Sequence, residues 1–470
     1  MTRDRREVVV VGGGMAGLTA AWKIAERPGF RVTLVEAEAE VGGQARAFVI
    51  DGRTVEHGSH AFFGYYRTIL DLIAELRADA ALAPDMPRLE RLPGWTLVDP
   101  YGRRALLTHT PGLPPIVSVA PSILKIPWFT VGDKLRALVG AFKLARRPLA
   151  DYDALDEHTS YDAALAAGYS PVGALTWNFA SLGLTNLFVQ EQSAAIFAGK
   201  HAVLIGTPRG LSYQLPAGNL SHLFAIPARR RLEALGGAVR TGARVVALEP
   251  DGARVTVRLD GGDALLADDV VLAVQPWDAR GLLPTVRARW TELGPVTPVI
   301  TVVVGLSGRV HESSDARELG MSREHWAFSV VTDLSRFWPE YAGDRTTLRA
   351  EIGHADLLPA GVDTPDAQLL TVVKRDLDRL YPGARALDVA WFRAHRETRH
   401  LYVKWTRGEF GKRVRPEERA AAPGVYLAGD WTTRGIIGME AAANSGLEAA
   451  SWALERAGLP RVPFHDVPLR

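Results

Sequence analysis

The stretch VVVVGGGMAGLTAAW, Val8–Trp22, decides the fold of this chain. Its four valines are typical of a buried parallel strand, and the alanine-rich run from Met15 predicts a helix. Gly12, Gly14 and Gly17 follow the G-x-G-x-x-G spacing between and within these two elements. The first glycine permits a tight turn, the second lets backbone approach a pyrophosphate, and the third allows close helix–strand packing. The N-terminus of the helix would then face phosphates with unpaired N–H groups and a positive dipole end.

A second predicted strand, in RVTLVEA (Arg31–Ala37), ends in Glu36, which stands 22 positions after Gly14. An acidic side chain at that point should hydrogen-bond a ribose hydroxyl, and it disfavours a 2′-phosphate. A chance glycine turn in an ordinary βαβ unit is the alternative, but it leaves the coincidence of strand, helix and acid unexplained. The motif predicts an adenine dinucleotide and does not choose between NAD and FAD.

Length and composition restrict the classes of function that the chain can have. A chain of 470 residues is long enough for two or three domains, and the net charge of +2 gives no global reason to expect nucleic acid. With no cysteine, the chain has no disulfide, thiolate metal site or cysteinyl-linked flavin, and it fits a reducing cytosol. The charged start MTRDRRE predicts no signal peptide, and no apolar run reaches the length of a membrane span. We therefore expect a cytoplasmic protein.

A second glycine pair separates the two dinucleotide candidates. Gly42 and Gly43 follow Glu36, although a NAD-binding domain needs no glycines there. The order of strand, Glu, short helix and Gly-Gly resembles the FAD-binding flavin amine oxidase and carotene desaturase superfamily. Gln44 stands where many members have an arginine, and Arg46 lies two positions on. The later stretch VYLAGDWTT matches the C-terminal flavin motif of the same superfamily.

The chemistry of that C-terminal motif can be read from its residues. A strand ends at Gly429, so Asp430 can accept hydrogen bonds from ribityl hydroxyls. Met439 begins a helix whose N–H groups can face the pyrimidine end of the isoalloxazine and stabilise charge on reduced flavin. Val245 matches the position whose backbone meets adenine. The resemblance implies noncovalent FAD held by Gly12, Gly14, Met15, Ala16, Gly17, Glu36, Ala37, Gly43, Gln44, Arg46, Gly58, Ser59, His60, Val245, Gly429, Asp430, Gly438 and Met439.

The N-terminal nucleotide unit is too short for a complete doubly wound sheet, so later segments must return to it. ARVVALEPDGARVTVRLDGGDALL predicts a small β-meander, and ADDVVLAVQPWDARGLL resembles the strand that re-enters the sheet, with Pro276 ending it. We predict an α/β Rossmann-type, discontinuous FAD-binding domain (1–80, 210–294 and 400–460) with an inserted α+β substrate-binding domain (81–209 and 295–399).

The stretch EHGSHAFFGYYRTILDLIAELRA, Glu56–Ala78, indicates the branch. It resembles plant- and cyanobacterial-type carotene desaturases, including aromatising carotenoid desaturases. The resemblance implies dehydrogenation of a hydrophobic unsaturated substrate, a polyene or terpenoid, with hydride passing to flavin N5 and electrons onward to a quinone or O₂. His222 stands where these relatives have another basic residue. We expect Tyr66, His222 and Ile437 to line the substrate pocket.

Two alternatives stay open. Amine oxidases of the superfamily place a lysine early in the strand entering the second domain, and aromatic residues beside the amine. The matching strand here, VTPVITVVV, has no lysine, and Gly438 stands where an aromatic residue would precede the Met-Glu pair. Both absences disfavour amine oxidation. A redox-neutral flavoenzyme that isomerises double bonds is the other alternative.

Among candidate chemical groups, His60 is the catalytic candidate because its unperturbed pKa suits a proton relay. A structural histidine donating to backbone is the competing interpretation. Tyr65 and Tyr66 are interpreted as pocket wall. His395 and His400 lack carboxylate partners at metal-ligand spacing in the sequence, so they are interpreted as surface or pocket residues and no metal site is predicted.

One further segment has the pattern of a surface helix. Leu135, Leu138, Val139 and Phe142 recur at helical spacing among basic residues (Lys134, Arg136, Lys143, Arg146 and Arg147) next to a proline-rich apolar loop. Such a helix is typical of contact with a membrane surface, which would make the protein peripheral on the inner face of a membrane. A solvated face on a helix packed within the substrate domain is the alternative.

Overall fold

The computed structural model describes residues 5–296, 298–310, 317–319, 326–399, 402–415, 418–434 and 436–465. The strands are β1 Arg6–Val11, β2 Phe30–Val35, β3 Ala47–Ile50, β4 Arg53–Glu56, β5 Phe62–Phe63, β6 Leu89–Leu92, β7 Gly94–Val98, β8 Arg104–Thr108, β9 Tyr213–Pro216, β10 Ala238–Arg240, β11 Val245–Pro250, β12 Val255–Leu259, β13 Ala264–Ala267, β14 Asp269–Leu272, β15 Val299–Leu306, β16 Arg317–Leu319, β17 Val330–Asp333, β18 Thr347–Ile352, β19 Val389–Glu397, β20 Ala420–Ala422 and β21 Val425–Leu427.

The helices, apart from the last, lie between strands in the chain, and those from residue 115 to residue 204 follow one another with no strand between them. The helices are α1 Met15–Ala25, α2 Thr68–Ala78, α3 Pro115–Ser118, α4 Ala120–Leu124, α5 Val131–Ala145, α6 Tyr152–Leu155, α7 Ser160–Ala167, α8 Pro171–Thr176, α9 Asn178–Thr185, α10 Ala194–Leu204, α11 Ile226–Ala234, α12 Pro276–Leu282, α13 Asp366–Leu380 and α14 Met439–Arg456. Within the ranges that the structure describes, no helix is both long and apolar enough to cross a membrane.

A six-stranded sheet in the order β10-β2-β1-β14-β21-β20 forms the half that is predicted to bind the nucleotide, called the nucleotide-binding half below. β1 lies between β2 and β14 and is parallel to both, while the edge strand β20 runs antiparallel to β21. The buried valines of β1 explain this central position. Val8 and Val10 pack in the core with α1, and Val9 and Val11 pack in the core with the β11–β13 sheet, so both faces of this part of the strand are apolar. The predicted α/β Rossmann-type fold is confirmed.

Close packing at glycine sets the distance between α1 and this sheet. Gly12 has a φ of +101°, and a Cβ there would overlap the carbonyl oxygen of Ala273, just after β14. A Cβ at Gly17 would overlap the carbonyl oxygen of Gly12. On the far side of α1, a Cβ at Gly446 of α14 would overlap the carbonyl oxygen of Ala16. Helix α1 is therefore held between β1 and α14 at a short separation, which residues with a Cβ at positions 17 and 446 would not allow.

A seven-stranded sheet, in the order β19-β15-β18-β17-β16-β7-β8, forms the second half. One of its faces lies against the β3–β4 hairpin of the nucleotide-binding half. Polar contacts join the two: Arg349 pairs with buried Glu56, and the Thr301 hydroxyl donates to the carbonyl oxygen of His57. The hairpin is thus fixed to the sheet immediately before the segment 58–60.

The order of segments agrees with an insertion, since the six-stranded sheet takes strands from residues 6–35, 238–272 and 420–427. The seven-stranded sheet takes its strands from residues 94–108 and 299–397. A small sheet, β5-β9-β6, combines strands from both predicted domains: β5 and β9 from the first and β6 from the second. The domain boundaries at residues 80, 210, 294 and 400 therefore stay predictions. One detail differs from the sequence interpretation: β14 ends at Leu272, and Pro276 begins α12 rather than ending the strand.

We expect Gly17→Ala to lower the free energy of unfolding of the cofactor-free protein by about 1–3 kcal/mol or more, because the added methyl forces α1 away from β1. Gly14→Ala is the matched control, since a Cβ there meets nothing within 4 Å and Gly14 has an ordinary φ of −72°. Urea denaturation followed by far-ultraviolet circular dichroism measures both. Equal unfolding midpoints for the two variants would contradict this account of the packing.

Candidate active site

A cleft of about 560 Å³ opens at one edge of the six-stranded sheet. The loops that follow β1, β2, β14 and β21 reach it, as expected for the carboxyl edge of a parallel sheet. Residues from every predicted cofactor motif line it. Those residues are Gly12, Gly14, Met15, Ala16, Glu36, Ala37, Gly43, Gln44, Ser59, His60, Val245, Gly429, Asp430, Gly438 and Met439.

The glycine loop presents bare backbone to the cleft. A Cβ at Gly14 would project into open space, so a ligand can approach this backbone closely. The N-terminus of α1 begins at the next residue, Met15, and lines the same cleft. Unpaired N–H groups and the positive end of the helix dipole at that place suit a phosphate group.

Glu36 holds this loop in position. One carboxylate oxygen accepts a hydrogen bond from the backbone N–H of Gly13 at 2.6 Å, and the other accepts from the N–H of Glu38 at 2.8 Å. The side chain is buried at the edge of the cleft. Each carboxylate oxygen has a second acceptor position, so Glu36 can also accept from a hydroxyl of a bound ligand.

The opposite end of the cleft is formed by the turn after β21 and the start of α14. Asp430 lies half-buried there, with one carboxylate oxygen 3.4 Å from the N–H of Gly438. Burial raises the pKa of Asp430, and the Arg413 guanidinium opposes that increase. Arg413 is itself buried and donates to the carbonyl oxygen of Asp430. The carboxylate is therefore fixed where it can accept hydrogen bonds from hydroxyl groups.

Glu440, next to Met439, was missed in the sequence. Its carboxylate accepts hydrogen bonds from the backbone N–H groups of Arg67, Thr68 and Ile69 at 2.9–3.0 Å. Burial raises the pKa of Glu440, and these three N–H donors lower it in part. Glu440 thus caps the first turn of α2 and fixes α14 beside the segment 58–67. No local sequence pattern predicts that an acid on one helix will cap the N-terminus of a helix far away in the sequence.

Aromatic side chains form one wall of the cleft beside Ser59 and His60. Phe63, Tyr66 and Tyr402 line it, and Tyr65 packs edge-on against Tyr66. Burial raises the pKa of the Tyr65 and Tyr66 hydroxyls, so both stay protonated at neutral pH. The wall is therefore aromatic and uncharged at Tyr65 and Tyr66. Tyr402 could not be assigned from the sequence, since it precedes no recognised motif.

Three predicted cofactor residues lie beside the cleft instead of lining it. Gly17 serves the helix packing described above. A Cβ at Gly58 would come within 2.9 Å of the Glu351 carboxylate, whose oxygen accepts from the N–H of Ser59. The Arg46 guanidinium lies over the ring of Phe48 and 3.9 Å from the Glu38 carboxylate.

Two predicted pocket residues lie elsewhere. His222 lines a separate cavity of about 300 Å³ with Met86 and Trp338, and its ring bonds to Asn219. Ile437 is buried in a cluster with Tyr152, Leu187 and Trp405. The structure puts neither side chain on the cleft, so we correct both expectations. Tyr66 does line it.

The interpretation of the C-terminal histidines also needs correction. His395 has a carboxylate neighbour after all, because Nε2 of His395 lies 3.5 Å from Glu397 and 3.2 Å from Nδ1 of His57. The three groups meet only because β19 lies beside the end of β4. His400 and Thr297 lie outside the described residues.

Comparison with known proteins agrees with this geometry. Residues 15–454 match the family model described as flavin containing amine oxidoreductase. The carotenoid phi-ring synthase of Streptomyces griseus is 30% identical over 99% of this chain and 91% of its own length. The zeta-carotene desaturase of Zea mays is 23% identical over 95% and 83%. A putrescine oxidase structure, 19% identical over 96% of this chain and 99% of its own, superposes with a TM-score of 0.69 and shows the fold. This chain belongs to the family of flavin-containing amine oxidoreductases, and it is a flavin-dependent oxidoreductase.

Proposed function

We propose that this protein is an FAD-dependent dehydrogenase of a hydrophobic unsaturated substrate of the polyene or terpenoid class. One observation carries the proposal: the cleft joins a dinucleotide-type glycine loop to an aromatic wall that is uncharged at Tyr65 and Tyr66. The names of the carotenoid phi-ring synthase and the zeta-carotene desaturase support a polyene substrate. When bound, flavin supplies the acceptor for a hydride from a C–H bond of the substrate.

FAD is favoured over FMN because the contacts at the β1–α1 end serve an adenine dinucleotide. The glycine loop and the α1 N-terminus suit its pyrophosphate, and Glu36 suits a ribose hydroxyl. Val245 and Arg244 line the same end of the cleft. We propose noncovalent attachment, since the chain has no cysteine for the common thioether link.

The residues of the chain then have separate tasks. Asp430 and the start of α14 would orient the ring end of the cofactor, while Phe63 and Tyr66 would exclude water from the reacting carbon. His60 lines the cleft and is the side chain we propose for moving a proton, with a purely structural role as its alternative. Since dehydrogenation depends mainly on placing the C–H bond against the acceptor, geometry supplies much of the rate.

Amine oxidation is the weaker candidate. The described residues that line the cleft include no lysine, and Pro298 and Val299 occupy the start of the strand where amine oxidases place one. An apolar substrate fits better, because burial contributes about 25 cal/mol per Å² of apolar surface. A redox-neutral double-bond isomerase would use the same cleft and differs only in leaving the flavin oxidised.

Helix α5 supports the further proposal that the protein docks on an anionic membrane surface. It packs inward mainly through small residues, Ala137, Gly140, Ala141 and Ala145, together with Leu144, while other large apolar side chains of the helix are exposed. Leu135 is 58% exposed and Phe142 46%. Neighbouring exposed apolar residues are Leu113, Val117, Leu124, Val131 and Val139. Exposed apolar groups among basic side chains suit insertion at a negatively charged lipid interface. Electron transfer to a membrane quinone or to O₂ would complete the turnover.

We predict that acid precipitation releases all the flavin into the supernatant as FAD. Glu36→Ala should weaken FAD binding about 10- to 150-fold, since it removes a charged acceptor worth roughly 1.5–3 kcal/mol. Glu40→Ala, an exposed acid in the same loop, is the matched control. Equilibrium dialysis measures both affinities. Flavin that stays in the acid pellet, or equal affinities for the two variants, would contradict the proposal.

We predict that carotenoid polyenes bleach the flavin of the anaerobic protein and that primary amines, polyamines and amino acids do not. The aromatic wall gives an uncharged chain its binding energy and gives an ammonium group no charged partner. Stopped-flow absorbance near 450 nm follows the reduction. Bleaching by an amine with none by polyenes would restore the amine oxidase alternative. Conversion of a polyene without bleaching would favour the isomerase.

We predict binding to vesicles that contain anionic lipid, weakening as salt increases. Reversing Lys134, Arg136 and Lys143 to Glu should abolish binding, and Leu135→Ser with Phe142→Ser should weaken it. The control reverses three exposed arginines outside this helix, Arg88, Arg230 and Arg461. Sedimentation with vesicles gives the bound fraction. Equal sedimentation of all variants would favour a solvated helix without a membrane role.

A further inference from the structure

A second group of chemically active side chains lies beside the cleft, between the β3–β4 hairpin and the seven-stranded sheet. His57 follows β4, while His395 and Glu397 project from one face of β19. His57 and Glu397 are buried, and the His395 side chain is 17% exposed. None of these residues serves the dehydrogenation proposed above. We call this group the His57 cluster.

Three donor atoms of the His57 cluster converge. Nδ1 of His57 lies 2.6 Å from Oε2 of Glu397 and 3.2 Å from Nε2 of His395. Nε2 of His395 is 3.5 Å from the same carboxylate oxygen. A cation about 2.05 Å from all three atoms, the usual zinc–ligand distance, would sit about 0.9 Å above their plane with ligand angles of roughly 80°, 103° and 117°. Only the first angle is far from tetrahedral.

The ligands are held in place by their neighbours. The backbone N–H of Arg399 donates to Oε1 of Glu397 at 2.7 Å, which leaves Oε2 directed at the two histidines. The carbonyl oxygen of His57 accepts from Thr301 on β15. Phe48 stacks on the ring of His395 at 4.2 Å and meets His57 edge-on at 4.8 Å. Outer contacts of this kind fix ring orientation in metal sites.

We propose that His57, His395 and Glu397 bind one divalent cation of the zinc class. Two imidazole nitrogens and one carboxylate oxygen are a donor set that Zn²⁺ takes in proteins, and the exposed edge at His395 leaves a fourth position for water. The cation would join the β3–β4 hairpin, which precedes the segment 58–60, to the seven-stranded sheet. It would therefore stiffen the wall that carries His60 without touching the reacting atoms.

The test uses tag-free flavin-loaded protein, dialysed against a chelator and titrated with zinc chloride by calorimetry. We expect one equivalent of zinc to bind, and the thermal unfolding midpoint to increase with zinc concentration, as linkage requires. His395→Ala should weaken zinc binding at least 100-fold, and Glu397→Gln should weaken it similarly. The matched control is His465→Ala, an exposed histidine that also bonds to a carboxylate, that of Asp71, and should not change zinc binding.

Zinc-edge X-ray absorption of the loaded protein gives an independent readout, expected to show two imidazole ligands at about 2.0–2.1 Å. His395 is the preferred site for substitution, because its partial exposure lets the variant fold even if burial makes His57→Ala unstable. No stoichiometric zinc binding would overturn the proposal and leave a hydrogen-bonded cluster. Binding equal in His395→Ala and His465→Ala would overturn it as well, by placing the metal elsewhere.

Discussion

The contact between α1 and β1 is the constraint on which the rest of the structure depends. Gly17 lies against the carbonyl of Gly12, and Gly446 lies against the carbonyl of Ala16, so α1 is held at short range on both sides. Only at that separation do its first N–H groups reach the cleft. The contact at Gly446 also positions α14, whose Glu440 accepts from the backbone of residues 67–69 and so caps α2. The packing of α1 therefore also determines the shape of the candidate cofactor site.

Buried charges join the two halves at a cost that apolar side chains would avoid. Glu56 pairs with Arg349, and Glu351 accepts from the backbone of Ser59, all at the face where the β3–β4 hairpin meets the seven-stranded sheet. A buried ion pair contributes little net stability, whereas removing one partner is strongly destabilising. These contacts fix the hairpin at one position on the sheet, because paired charges hold only at one relative position, whereas apolar surfaces can pack in several. The positions so fixed are those of Ser59 and His60 on the cleft wall.

Much of the nucleotide-binding half could be predicted from the sequence, because local rules govern it. Glycine spacing, the acid after β2 and the strand–loop–helix at the C-terminus each have a short-range physical reason, and Glu36 and Asp430 do line the cleft. Contacts between distant segments could not be predicted: His57 meets Glu397 only because the β3–β4 hairpin packs against β19. The periodicity of α5 showed two faces but not which one packs: the face with Ala137, Gly140 and Ala141 is buried, while Leu135 and Phe142 are exposed. His222 shows the limit of resemblance to a family. The resemblance placed its side chain in the substrate pocket, whereas the structure places it in a separate cavity.

The central claim is that this cleft is shaped for the whole dinucleotide and not for a flavin ring alone. Reconstitution of the flavin-free protein with FAD and with FMN tests it most directly, because both carry the same ring and differ in the adenylate half. Quenching of flavin fluorescence gives each dissociation constant. The account predicts that FAD binds at least about 100-fold more tightly, since Glu36 would bind the adenosine ribose, and the glycine loop and α1 N-terminus would bind a second phosphate, neither of which FMN has. Equal affinities would contradict it.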